Sequence, residues 1–461
     1  MGIAFLTGGG ARPDIQSLMM LRPLAVLLCG YACWTLTGEQ IRKYRVLFAF
    51  MLAIFVLVGA QLVPLPPSFW RNMPGREIVT EIDGLAGLGD VWRPMSLTPG
   101  ATWNAFYSLF VPLAALLLMV QLRRSERGQL LPILIGVGLL SALMGVFQVI
   151  GGDDSSFYFY QITNSGSAVG LFANRNHAAV FLACMFPMLA VFASTNARTI
   201  EQARFRTWAA VVACLFIVPL ILVTGSRGGL LTGLVGLVSI PLLYHQPVVA
   251  NPPKRKAARF NPVYLVGTLG TVCLGLLTIL LARAQAFDRL LAFDQKEEAR
   301  FLMWRPIAAM AYKYFPFGSG FGSFEQVYQL DEPSAQLRTT YVNHAHNDVL
   351  EVYLTGGAGA VALLALGVAL WAYSSWSVWT DRRKANSSGI DYARLGSVLL
   401  LILGLASVAD YPLRVPSIAC FAIVAAIWLR DAAETRSASP VVGAKGDGSD
   451  RNSVLLHPQS S

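Results

Sequence analysis

Charge is what this chain has least of. Asp, Glu, Lys and Arg make up 13% of its 461 residues, against 55% hydrophobic residues and a mean hydropathy of +0.53, a balance that excludes an ordinary soluble domain. Alternation with a period of two is also missing, and glycine is spread through most apolar runs, which favours helices over a membrane β-barrel. Cysteine is sparse, and Cys29, Cys33, Cys184, Cys214, Cys273 and Cys420 all lie in apolar runs. That placement supports neither a disulfide framework nor a Cys-rich metal site, and the six read as packing residues. The first residues lack the basic flank, separate apolar stretch and small-residue site of a cleavable signal peptide. Instead, apolar Met1–Leu6 runs into Thr7–Asp14 like the exit of a helix, so one further helix is expected upstream. No internal repeat is evident, which argues against repeat-built transporter folds.

What is present is a series of apolar runs of about 20 residues, the length that crosses a ~30 Å hydrocarbon core. They fall near 18–37, 44–62, 103–121, 130–150, 177–194, 207–224, 228–244, 262–282, 349–376, 393–409 and 414–429. The fold predicted from them is all-α: a polytopic integral membrane bundle of about eleven helices, or twelve with an upstream one. Residues 1–430 form its single transmembrane domain, with a large loop at 283–346. Residues 431–461, rich in Ser, Gly, Asp and Pro, are expected to be a disordered cytoplasmic tail.

The net charge of +10 is informative through its placement. Basic clusters at Arg42-Lys43-Arg45, Arg123-Arg124-Arg127, Arg198-Arg204-Arg206, Lys254-Arg255-Lys256-Arg259 and Arg382-Arg383-Lys384 occupy every second connection between runs. By the positive-inside rule those connections are cytoplasmic, and no nucleic-acid partner is implied. The connections of unusual sequence then face outward: Val63–Thr102, Gly151–Asn176, Gly225–Gly229, Arg283–His346 and Asp410–Arg414. Nucleotide sugars are absent on that side, so a transferase of this topology needs a donor already carried across, on a lipid.

Within those connections a few polar residues stand against long apolar flanks. Arg227, in Thr224-Gly-Ser-Arg-Gly-Gly229, has no other charge near it. A guanidinium between glycines suits a phosphate, because the fork matches phosphate oxygens and glycine lets backbone N–H groups approach; a snorkelling Arg in a hairpin is the structural alternative. Arg300, Trp304 and Arg305, followed by Phe317-Gly-x-Gly-x-Gly322, interleave aromatic, Arg and Gly residues as a sugar-phosphate ligand would require, and as an interfacial helix also would. His344, His346, Asn347 and Asp348 crowd the start of the run that begins at Val349. If Asn347 opens that helix, His346 precedes its N-terminus and can act as a neutral general base. A capping role for the cluster and a His-x-His metal pair are the alternatives, the second short of ligands. Asn174, Arg175, Asn176, Asp410 and Arg414 lie at outward helix mouths and serve as caps or as members of the same pocket.

In order and spacing, Gly170-Leu-Phe-Ala-Asn174-x-Asn176, Thr224–Gly229, Arg300-x-x-x-Trp304-Arg305, Phe317–Gly322, His346-Asn347 and Gly356-Gly357-Ala-Gly359 resemble the O-antigen ligase and polymerase superfamily of bacterial membrane glycosyltransferases. The resemblance implies a GT-C-like helical fold in the inner membrane, with a periplasmic loop over a lateral cleft. It implies a glycan donor on undecaprenyl diphosphate, a glycan or lipid A–core acceptor, contact with membrane lipid, and inverting transfer without metal or cofactor. By position, Arg227 and Arg305 would hold the donor diphosphate and His346 would activate the acceptor hydroxyl. His344, Asn347, Asp348, Asn174, Arg175, Asn176, Trp304, Arg300, Asp410 and Arg414 enter as supporting residues. His344 matches no family role, and Ala360 stands where the family often has a further small or polar residue. Ligation, polymerisation of repeat units and transfer to a protein side chain share this chemistry. A transporter or flippase of lipid-linked glycan is the alternative of another class, and oligomeric state is left open.

Overall fold

A computed structural model describes residues 1–250, 269–270, 295–334, 337, 341–380 and 388–433, with side chains not described at 295–301, 388 and 432–433. Its elements are α1 (Gly2–Thr7), α2 (Leu18–Thr35), α3 (Arg45–Ala60), α4 (Pro99–Gln121), α5 (Arg124–Gly151), α6 (Arg175–Ser194), α7 (Ile200–Thr224), α8 (Arg227–Leu243), α9 (Gln295–Lys313), α10 (Phe324–Asp331), α11 (Asp348–Thr380), α12 (Ser388–Ala409) and α13 (Pro416–Ala433). Each predicted apolar run coincides with a helix except 262–282, which lies outside the described residues, as do the clusters Lys254–Arg259 and Arg382–Lys384 and the tail beyond residue 433. Among the described residues seven helices are long and apolar enough to cross a membrane, and α3 and α8 are shorter apolar helices. The fold is all-α, with one short strand pair in which Pro64–Leu65 lies antiparallel to Arg93–Pro94.

The centre of the bundle is α6. Its apolar window is 94% buried, against 28–56% for the other long helices, so it is walled by protein where they face outward. Helix α8 lies along it in parallel through a stripe of glycines one face wide. A Cβ at Gly229 would collide with Ala179, and one at Gly236 would strike the Ala183 carbonyl and the Phe186 ring. Small residues at such a seam let backbones approach where no hydrophobic effect drives helices together. Phe181 of α6 takes ring contacts from Phe5, Phe172 and Phe421 at 4.9, 5.6 and 5.4 Å, which pins α1 and α13 to the same core.

The two ends of the bundle differ in chemistry. At one, Arg127 donates to Asp431 at 2.7 and 2.8 Å and Tyr44 donates to the same carboxylate at 2.5 Å, while His245 pairs with Asp391 at 3.0 Å. At the other lie Val63–Thr102, Gly151–Asn176 and the starts of α6, α8 and α11.

Helix α11 breaks at Gly357, whose φ of 60° and ψ of −152° no L residue adopts readily. The break frees backbone groups, and the Pro316–Gly322 segment completes them: Ser319 N–H donates to Leu354 O at 3.0 Å, Gly320 N–H to Thr355 O at 2.9 Å, and Ala358 N–H to Pro316 O at 2.8 Å. Gly318, Gly320 and Gly322 all have positive φ and backbone or side-chain atoms where a Cβ would sit. The Val63–Thr102 loop closes over this joint. Leu97 N–H donates to Ser319 O at 2.9 Å, Gln61 bridges Thr355 O and Phe321 N–H at 3.0 and 2.8 Å, and Arg76 reaches the carbonyls of Met95 and Gly318 at 2.5 and 3.0 Å. Burial draws the Arg76 guanidinium down to about 10, so it stays charged at neutral pH. The Gly318–Gly322 segment is thus a backbone joint between α11 and the large loop.

Candidate functional site

Three chain segments meet at the open end of α6. Asn174, in extended conformation, caps α6 by accepting the Asn176 N–H at 2.8 Å. The cap fixes the first turn, and Asn176 donates from Nδ2 to Asp410 Oδ2 at 2.7 Å in a buried contact. Asp410 follows the last residue of α12 and its N–H still donates to Ala406 O at 2.9 Å; Pro412 then prevents the helix from continuing. The second oxygen of Asp410 faces His346 Nδ1 at 3.1 Å, and His177 Nε2 stands 4.0 Å from Oδ2. With Asp410 ionised, its oxygens only accept; His346 then carries its hydrogen on Nδ1, and Nε2 is the basic atom of the ring. Tyr411 lies among the imidazoles, its centroid 4.2 Å from His344 and 5.1 Å from both His346 and His177.

The backbone of His346 has φ of 47°, the one positive φ outside glycine among the described residues. Such a conformation costs on the order of 1–3 kcal/mol and persists where its surroundings over-determine it, as at functional sites. Asn347 is the residue before α11, and its Oδ1 accepts the Leu350 N–H at 3.1 Å. His346 therefore precedes the cap, where the partial positive end of the helix favours an anion.

A second cluster lies behind the first. Glu351, buried in the first turn of α11, accepts from Ala345 N–H at 2.9 Å, faces His344 Nδ1 at 3.1 Å and pairs with Arg414 Nη1 at 2.9 Å. Arg414 also donates from Nε to Asp348 Oδ1 at 2.9 Å. Burial alone would lower the Arg414 guanidinium, but Glu351 and Asp348 outweigh it and the net shift is upward. His344, Asp348 and Arg414 thus belong to a network adjoining the His346–Asp410 pair.

Arg227 is the first residue of α8 and is exposed. Gly225 in left-handed conformation ends α7, and Ser226 caps α8 by accepting the Gly229 N–H at 2.9 Å. Gly228 and Gly229 are therefore helical, and Gly229 N–H is already used by the cap. Parallel α6 and α8, with Gly229 against Ala179, bring Arg227 to the level of His177, two residues ahead of the contact on each helix. Arg305 is exposed on α9, while Met303, Ile307 and Met310 on the same helix pack in one core with Ala345 and Leu354. Trp304 is half-buried beside it, and the Arg300 side chain falls outside those described. Arg175 N–H donates to Asn164 Oδ1 at 2.9 Å, which ties the Gly151–Asn176 connection to the start of α6. Among the described residues, no group of three or more His, Cys, Asp or Glu is placed to hold a metal ion.

Sequence reasoning misses one member of the site, Glu351, and gives no role to another, His177. Glu351 sits inside an apolar run whose polarity gave no warning, although an acidic residue in the first turn of a membrane helix is a signal in itself. His177 was visible only as a neighbour of Asn176, and its burial against Tyr411 depends on a contact between distant segments.

Residues 209–365 match the family model described as O-antigen ligase. The matched span carries Arg227, Arg305, His344, His346 and Glu351; Asp410, which faces His346, and Asn176, which donates to Asp410, lie outside it. No curated protein matches the chain.

Proposed function

We propose that this multi-pass membrane protein, whose residues 209–365 match the O-antigen ligase family model, transfers a glycan from an undecaprenyl-diphosphate-linked donor to an acceptor hydroxyl on the periplasmic side of the inner membrane. The observation that carries this reading is the His346–Asp410 pair, 3.1 Å apart at a strained backbone position, at the level of Arg227 along the bundle. In the proposed step the acceptor oxygen attacks the anomeric carbon from the face opposite the diphosphate, giving inversion. The bond from that carbon to the diphosphate oxygen breaks, the electron pair leaves with the diphosphate, and the acceptor proton passes to His346 Nε2. Asp410 holds the ring in the required tautomer and offsets the imidazolium charge. Arg227 and Arg305 stabilise the departing diphosphate, a task suited to guanidinium forks. The described basic clusters at Arg42-Lys43-Arg45, Arg123-Arg124-Arg127 and Arg198-Arg204-Arg206 lie at the opposite end from the His346–Asp410 pair, which supports an outward-facing site.

The test is reconstitution in sealed proteoliposomes with a lipid-linked donor and an acceptor. Transfer by the unaltered protein, with none by His346→Ala at undiminished donor binding, supports the reading. Translocation of the donor without transfer overturns it. A deletion strain that accumulates full-length unligated chains marks a ligase, and one that accumulates single repeat units marks a polymerase.

A further inference from the structure

The geometry points to Glu351 as the positioning residue that sets the aim of His346, an inference that rests on the general-base reading above. Two segments must be held in register for the His346–Asp410 contact to form: the turn before α11, which carries the imidazole, and the corner after α12, which carries the carboxylate. Glu351 touches both. Its Oε2 accepts the N–H of Ala345, the residue immediately before His346, at 2.9 Å, and its Oε1 pairs with Arg414 of the corner at 2.9 Å.

The turn is gripped on each side of the strained residue. Ala345 is fixed by Glu351, Asn347 by its capping bond to Leu350 N–H, and the ring between them by Asp410. His344 adds a further contact to Glu351 at 3.1 Å. A left-handed His persists only where neighbours over-determine it, and Glu351 supplies the constraint on its N-terminal side. The carboxylate is buried in the first turn of α11, with its oxygens taken up by Ala345, His344 and Arg414, so it does not meet substrate and acts through His346. Its burial is tolerable because these three partners are all donors: one backbone N–H, one imidazole and one guanidinium.

Two variants of the full chain separate positioning from folding. Glu351→Ala removes both grips and is expected to lower kcat about 100-fold, the scale of a small misplacement of a reacting group, with KM for the donor within about twofold. Glu351→Gln keeps an acceptor for Ala345 N–H but loses the charge opposite Arg414, and is expected to fall between, at about tenfold. The readout independent of transfer is the carbethoxylation of His346 by diethyl pyrocarbonate, followed by peptide mass spectrometry, with His245 at the far end of the bundle as internal reference. Both variants should carbethoxylate His346 faster while His245 keeps its rate. An unchanged His346 rate in Glu351→Gln, or in a folded Glu351→Ala, overturns the inference. If the unaltered protein transfers no glycan, the functional reading fails and the carbethoxylation comparison alone decides the role of Glu351.

Discussion

At the scale of single residues, the site divides into groups that meet the reactants and groups that hold them. Asp410 holds. Asp410→Asn keeps the shape and a carbonyl oxygen but removes the charge that pairs with His346 and the acceptor for Asn176 Nδ2–H. Transfer is expected to fall by about 10²-fold or more, measured as kcat in nanodiscs, while donor binding stays within about twofold. Arg227 is expected to meet the donor. Arg227→Lys keeps the charge and loses the planar fork, so most activity should vanish at normal expression; full activity would remove Arg227 from the donor site. The polar residues at helix mouths were legible because each interrupts an apolar flank. Asn174, His346 and Asp410 stand where a run begins or ends. Glu351 was not legible, because its meaning comes from Arg414, a partner 63 positions away that only the fold brings near.

At the scale of elements, the helices follow from the runs of apolar residues, and their ends from caps that sequence shows indistinctly. The predicted run 349–376 is the helix Asp348–Thr380, longer because Asn347 caps one end and because Gly357 bends the helix without ending it. The helix breaks and resumes at two adjacent glycines, residues of low helix preference, and the backbone of the Pro316–Gly322 segment supports the break. Gly357→Ala should test the joint. A Cβ there requires a disfavoured φ and meets Pro316 O and Gly318 N, so the apparent melting temperature in nanodiscs is expected to drop by more than about 5 °C. An unchanged value would mean the break carries no strain.

At the scale of the whole molecule, charge sorts the two ends. Described basic residues such as Arg123, Arg124, Arg198 and Arg204 cluster at the end that bears the Arg127–Asp431 pair, and the histidines around Tyr411 gather at the other. The proposed orientation can be read with a membrane-impermeant maleimide on intact cells whose outer membrane has been permeabilised. Cysteine placed at Asn164 should label, and cysteine placed at Arg198 should label only after lysis. The reverse pattern would put the site in the cytoplasm and remove the lipid-linked donor from consideration.

The break in α11 also bears on the order in which the chain assembles. The stretch from Asp348 to Gly356 has carbonyls at Leu354 and Thr355 whose donors come from Ser319, Gly320 and Gln61, so its ladder is complete only after remote segments have docked. Helix propagation alone cannot finish it. The turn that presents His346 is therefore among the last parts to acquire native protection, and its local opening free energy should be lower than that of α6. Hydrogen exchange on the reconstituted protein should show amides 348–356 exchanging before those of the α6 interior. Exchange of both at one common rate would instead place this stretch in the same cooperative unit as the bundle core.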